Sequence, residues 1–158
     1  MKPVRLRLSR ARGFNLQEHS RATNGLEAVN VSRPGPHGNP FIVGKHGNRS
    51  TCVRFFVCLF DGLLPILDRE TMAASRALMP KMRQMAREIA GKNVGCWCAL
   101  PAPGEPDMCH GFVWLAVANA PNPVLALRPL TDAWALIDER ADLTPRVRQS
   151  LTCEEVKP

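Results

Sequence analysis

Cys96, Trp97 and Cys98 stand in a row, and after a proline-rich loop Cys109 and His110 stand side by side. Thiol and imidazole ligate zinc-type metals and also act as nucleophile or base near neutral pH. Together Cys96, Cys98, Cys109 and His110 would supply the four ligands of a tetrahedral zinc site. The spacing works against it. C-x-C on a strand sets both sulfurs on one face but about 6–7 Å apart, so a local bend is needed. Adjacent Cys109 and His110 converge only on irregular backbone. A second chemistry is nucleophilic or acid–base, carried by Cys98, Cys109 and His110. Cys109 falls where a helix opens, and unpaired N–H groups there favour a thiolate. His110, about 100° further round the helix, reaches instead towards Cys98 or a ligand across the loop. The same helix start can seat a phosphate. The third reading is packing, with Cys96 and Cys98 lining a strand's inner face and Trp97 covering the other. Cys52 and Cys58 fit that role on an apolar run, and Cys153 reads as a bystander in the tail.

A second candidate site is Arg33-Pro34 followed by Gly38-Asn39-Pro40-Phe41. Arg33 can grip a phosphate or carboxylate with two hydrogen bonds, and the Asn39 amide can read a base or ribose. Gly38 permits close approach of a ligand, and Lys45 and His46 follow within reach. The alternative is a structural turn in which Asn39 bonds backbone and Phe41 enters the core. His19 and His37 read as solvent-exposed.

The elements that must position these groups follow from periodicity. Val4 to Leu8 alternates apolar and basic residues, as a half-exposed strand does. Arg12 to Asn24 is polar and reads as a loop. Ala28 to Val31 is a second strand, and Phe41 to Val43 resumes extended chain. The run CVRFFVCLF, capped by Ser50 or Thr51, is apolar nearly all round and reads as a buried helix. Leu63 to Arg69 breaks it. Met72 to Ala90 is an amphipathic helix, in one piece or two around Pro80, stopped by Gly91. Val94 to Cys98 is a buried strand, and Cys109 to Asn119 a helix. This alternation predicts an α/β fold: a single layered domain with a small central sheet flanked by helices, over residues 1–120, and a C-terminal accessory segment over 121–158. If the second and third strands are parallel neighbours, the loops after them converge on one edge of the sheet.

In this arrangement Val29-Asn30-Val31-Ser32-Arg33-Pro34, Gly38-Asn39-Pro40-Phe41, Gly91-Lys92, Cys96-Trp97-Cys98 and Cys109-His110 resemble a bacterial, phage and prophage family catalogued as the domain of unknown function DUF4326. The resemblance spans Leu6 to Asn119 and implies phage-related biology with nucleotide or nucleic-acid partners. That family carries Asp two residues after the His, where this chain has Phe112, and its loop between the CWC and CH blocks is shorter. If that Asp serves catalysis or ligation, the departure implies that the fold was kept and an activity lost.

Charge points the same way as the resemblance. The net charge is +7, and residues 1–23 hold six basic residues against one acidic. Arg5, Arg7, Arg10 and Arg12 would contact the phosphates of a nucleic acid, or simply solubilise the chain. The low aromatic content, 6% with no Tyr, leaves few stacking platforms for bases. With no apolar h-region and no apolar run of membrane length, the expectation is a protein of the cytoplasm of a bacterium or phage-infected host, without membrane contact and with reduced thiols.

Three functions fit. The first is binding of a nucleotide or nucleic-acid ligand at a composite site formed by both loops, with or without catalysis on it. The second is a non-catalytic nucleic-acid-binding or host-interacting module whose cysteines are structural, with or without zinc. The third is a virion or assembly protein.

Overall fold

Three short segments, β1 (Arg5–Arg7), β2 (Ala28–Asn30) and β3 (Asn93–Cys96), pair in parallel in the order β1-β3-β2. Leu6 stands beside Gly95 on one side, and Val29 beside Val94 on the other. A parallel sheet is covered on both faces, which is why every residue of β3 is buried. This is a computed structural model, and it describes residues 1–62, 67–121 and 127.

Side chains alternate along β3. Val94 and Cys96 point into the main core with α2 (Arg49–Phe60), α3 (Arg69–Ile89) and α4 (His110–Asn119). Gly95 faces the other way, where a Cβ would lie 3.0 Å from Leu16 and Leu8. That missing side chain lets α1 (Leu16–Asn24) sit close against the sheet. Trp114, Phe56, Ile89 and Val113 are fully buried on the main face. Burial of a side chain of this kind stabilises the fold by about 1.5–3 kcal/mol.

The α/β architecture expected from the alternation is present: a small parallel sheet with helices around it. Several local expectations are corrected. The polar segment before Gly25 is not a loop but contains α1. Asn15 accepts from the N–H groups of Gln17 and Glu18 at its start, and Gly25, at φ 76°, closes its end. Phe41 to Val43 is a turn rather than extended chain, with His46 N–H donating to the Ile42 carbonyl at 2.9 Å. The cap of α2 is Asn48, ahead of Ser50 and Thr51. Helix α3 runs unbroken through Pro80, which lies on its exposed side, where water can satisfy the Arg76 carbonyl it leaves free. The expected C-terminal segment lies outside the described residues beyond Pro121, Leu127 excepted.

Asn93 opens β3 and is fully buried. Its amide donates to Ser20 Oγ (2.8 Å) and Asn24 Oδ1 (2.7 Å). Its Oδ1 accepts from Val4 N–H (2.8 Å) and the Asn24 amide (3.0 Å). One side chain thus ties the entrance of β1 to the end of α1. Among the described residues, no helix is long and apolar enough to cross a membrane.

Candidate functional site

Because β2 and β3 are parallel neighbours, the chain leaves both at the same edge. Ser32 and Arg33 follow β2, Trp97 and Cys98 follow β3, and α4 starts alongside. Between them lies a cavity of about 350 Å³, bordered by Arg33, Arg49, Trp97, Cys98, Cys109 and His110 among others. The two loops singled out in the sequence therefore share one concavity. No Asp or Glu lines it. Arg33 and Arg49 are exposed at its edge and form no ion pair among the described residues.

Three of the four groups proposed as metal ligands come together. The sulfurs of Cys96, Cys98 and Cys109 all lie within 4.8 Å of one another. The bend that C-x-C requires is supplied by the end of β3 at Cys96, after which the chain turns at Trp97 and Cys98. Cys109 caps α4, its Sγ accepting the Gly111 N–H at 3.3 Å. Cys96 and Cys109 are buried, whereas Cys98 is half-buried. The thiols of Cys109 and Cys96 hydrogen-bond to Cys98 and hold it well below the ordinary thiol range, with Arg49 and His110 adding to the effect. Cys109 is pushed up by the neighbouring sulfurs of Cys96 and Cys98 and by burial.

His110 does not join the sulfurs. Its Nε2 lies 2.7 Å from the Val31 carbonyl, and its ring meets Phe56 edge-on. A carbonyl can only accept, so Nε2 carries the proton. Burial lowers the His110 pKa, so the ring is neutral near pH 7. Cys52 lines the same cavity from α2, but burial raises its thiol to about 11 and leaves it unreactive.

The geometry of the cluster depends on Arg5. Its Nε donates to Asp107 Oδ2 at 2.6 Å, Nη1 to the Cys98 carbonyl at 2.9 Å and Nη2 to the Ala99 carbonyl at 2.8 Å. One guanidinium thus clasps both ends of the loop joining Cys98 to Cys109. The expectation of Arg5 as a phosphate contact beside Arg7, Arg10 and Arg12 is corrected, because it is buried and its donors are engaged. Arg7, Arg10 and Arg12 are exposed. Arg10 lies over the Trp97 ring, 5.2 Å from its centroid.

The loop after β2 divides between the two readings weighed for it. Asn39 is buried, donating to the Cys52 carbonyl (3.0 Å) and accepting from Phe41 N–H (2.9 Å). Its amide holds the loop against α2 and is not offered to a ligand. Gly38 serves packing too: a Cβ there would stand 2.6 Å from Arg33 Cγ. Arg33 is the member of this loop that keeps its functional group free at the cavity edge. Lys45 lies outside the cavity beside Asp68, at 3.4 Å. His46 is buried, accepting from Ile42 N–H at 2.7 Å and meeting Asp68 at 3.2 Å and Thr71 at 3.0 Å. His37 is half-buried against Trp114, contrary to the exposure expected of it, while His19 is exposed.

Phe112 lies elsewhere. It borders a separate concavity with Arg5, Asp107 and Leu115, not the one that holds the cysteines. Phe112 therefore contributes nothing to the lining of the cysteine cavity. Sequence reasoning missed Arg49 and the clasping role of Arg5, since each depends on a neighbour distant in sequence. Trp97, expected to cover a strand, is 45% exposed and forms part of the cavity wall.

No curated protein and no solved structure matches the chain. A family model for the domain of unknown function DUF4326 matches residues 14–120. That stretch holds the loop after β2, the bend after β3 and the start of α4, while β1 with Arg5 precedes it. By this match over most of its length, the chain belongs to the DUF4326 family.

Proposed function

We propose that the domain binds a phosphorylated, nucleotide-type ligand in the cavity between the Arg33 loop and the cysteine cluster. The observation that carries this reading is the lining itself: two arginines without ion-pair partners among the described residues and no carboxylate, beside the opening of α4. Arginine pairs with phosphate through parallel N–H donors, and a helix N-terminus adds dipole and free N–H groups. Trp97 offers an indole face for a base. The volume of about 350 Å³ suits a small molecule. Cys98, the half-buried member of the trio, stands on the wall of this cavity.

The test is thermal denaturation with nucleoside mono-, di- and triphosphates, inorganic phosphate and neutral nucleosides. A phosphorylated ligand should raise the melting temperature, and Arg33→Ala or Arg49→Ala should weaken its binding about 10- to 100-fold. Absence of any shift, or a shift indifferent to both substitutions, would sink the reading.

A second reading, single-stranded nucleic acid, is favoured by Trp97 bordering both this cavity and a neighbouring concavity formed with Arg7, Ser9 and Arg10. Backbone phosphates leaving the first cavity would then run on to those arginines. Oligonucleotide affinity should fall with salt, and neutralising Arg7, Arg10 and Arg12 together should flatten that slope by about 0.7 for each phosphate no longer neutralised. Binding of mononucleotides alone, unaffected by the triple substitution, would exclude it.

A further inference from the structure

We infer that Cys96, Cys98 and Cys109 form a three-thiolate site for a zinc-type divalent ion, with the fourth coordination position turned to the cavity. The inference stands apart from the ligand proposal, because it rests on the sulfurs alone.

The three Sγ atoms lie within 4.8 Å of one another. Three sulfurs at about 2.3 Å from one tetrahedral ion stand about 3.8 Å apart, so closing on an ion needs a contraction of about an ångström or less. The groups come from two places that the fold fixes independently, the bend after β3 and the cap of α4. Thiolates select zinc and its soft relatives over magnesium or calcium.

Supports lie behind the ligands. Arg5 holds the Cys98 carbonyl at 2.9 Å and the Asp107 carboxylate at 2.6 Å, so the approach to Cys109 is fixed by the same side chain that fixes Cys98. Carbonyl and side-chain contacts of this kind orient metal ligands in many proteins. Binding releases the thiol protons to solvent, and three thiolates with one divalent ion carry a net charge of −1. Arg5 nearby and the free Arg33 and Arg49 oppose that charge.

His110 is not the fourth ligand. Its Nε2 is committed to Val31, and its nitrogens fall outside the sulfur cluster. Three protein ligands leave the remaining position to water or a bound molecule, which is the pattern of zinc sites that do chemistry rather than only hold a fold. Cys98, the half-buried member, lies on the cavity wall.

The experiment uses full-length protein purified under reducing conditions without a metal-affinity tag. Elemental analysis should find close to one zinc per chain. After removal of zinc, cobalt(II) titration should produce sulfur-to-cobalt charge-transfer absorption of three-thiolate intensity. Cys98→Ser and Cys109→Ser should reduce retained zinc to background, whereas Cys52→Ser, a thiol on the same cavity outside the trio, should keep it. Should a variant fail to fold, alkylation of the wild type with mass mapping decides: zinc should protect Cys96, Cys98 and Cys109 together. Metal-free folded protein with no cobalt absorption would overturn the inference. So would a disulfide within the trio under reducing purification, or equal loss of zinc in Cys52→Ser.

Discussion

Arg5 and Asp107 meet at 2.6 Å across 102 positions of sequence, with side-chain exposures of 3% and 11%. The bond closes the loop between Cys98 and Cys109 from outside the cavity. Removing one partner of a buried pair strands the other charge, at about 3–5 kcal/mol. Arg5→Met should therefore destabilise the protein by that amount in urea unfolding, and Asp107→Asn by somewhat less. The double variant Arg5→Met with Asp107→Leu should recover part of the loss, because no charge is left stranded. At the cluster, Arg5→Lys should weaken zinc about 10- to 100-fold, since a single ammonium cannot span three acceptors. Unchanged zinc affinity in that variant would remove Arg5 from the support of the site.

Phe112→Asp should leave the cavity's properties as they are. Phe112 borders the concavity of Arg5 and Asp107 and is separate from the cysteines. Zinc content and nucleotide-induced stabilisation should match wild type within error. A gain of either through the new carboxylate would mean that position 112 communicates with the cavity.

Asn93 answers two donors and two acceptors where no water reaches. Asn93→Ala should cost about 2–3 kcal/mol, because Val4 N–H and the Ser20 and Asn24 side chains lose buried partners. The midpoint of urea unfolding should drop without a change of slope. Ligand affinity, measured well below the melting temperature, should be unaffected.

Asp68 predicts an acid limb of stability. Its carboxylate accepts from the Thr71 hydroxyl (2.7 Å) and N–H (3.1 Å), with His46 and Lys45 nearby, and these bonds hold its pKa well below the ordinary carboxylate range. A depressed folded-state pKa adds stability that is fully present above the unfolded value of about 3.9 and is lost as pH falls through the folded one. Asp68→Asn keeps the helix cap and removes the charge. It should be less stable than wild type near neutral pH, and the gap should narrow as the pH is lowered past about 4. A gap that stays constant with pH would show that the charge contributes nothing.

The convergence of the two loops was legible because Ala28 to Val31 and Val94 to Cys98 are short, apolar and bounded by turn residues, as inner parallel strands are. Arg5 was not. In Val4 to Leu8 the alternation sends both arginines outward, and it takes a carboxylate 102 residues away, with the Cys98 and Ala99 carbonyls, to make it favourable to bury one of them. Helix α1 was hidden by its own polarity, with Leu16 and Ala22 its apolar residues, although Asn15 and Gly25 already marked its ends. The Asn39 amide looked available because its partner, the Cys52 carbonyl, belongs to a helix that begins ten positions later. For Arg5 and Asn39 the deciding neighbour belongs to another element of the chain.

The strand order carries a consequence for how the chain assembles. Among the described residues, strands β1 and β2 bond to β3 and not to each other, so there neither has a partner until β3 is made. A growing chain that has not released residues 93–96 can form the helices before them but not this sheet. Closing a loop of nearly ninety residues to seat β3 beside β1 places the entropic cost early and makes folding slow for this size. The sheet, the bend at Cys98 and the start of α4 then arise together, so the cavity has no partly assembled forerunner during synthesis.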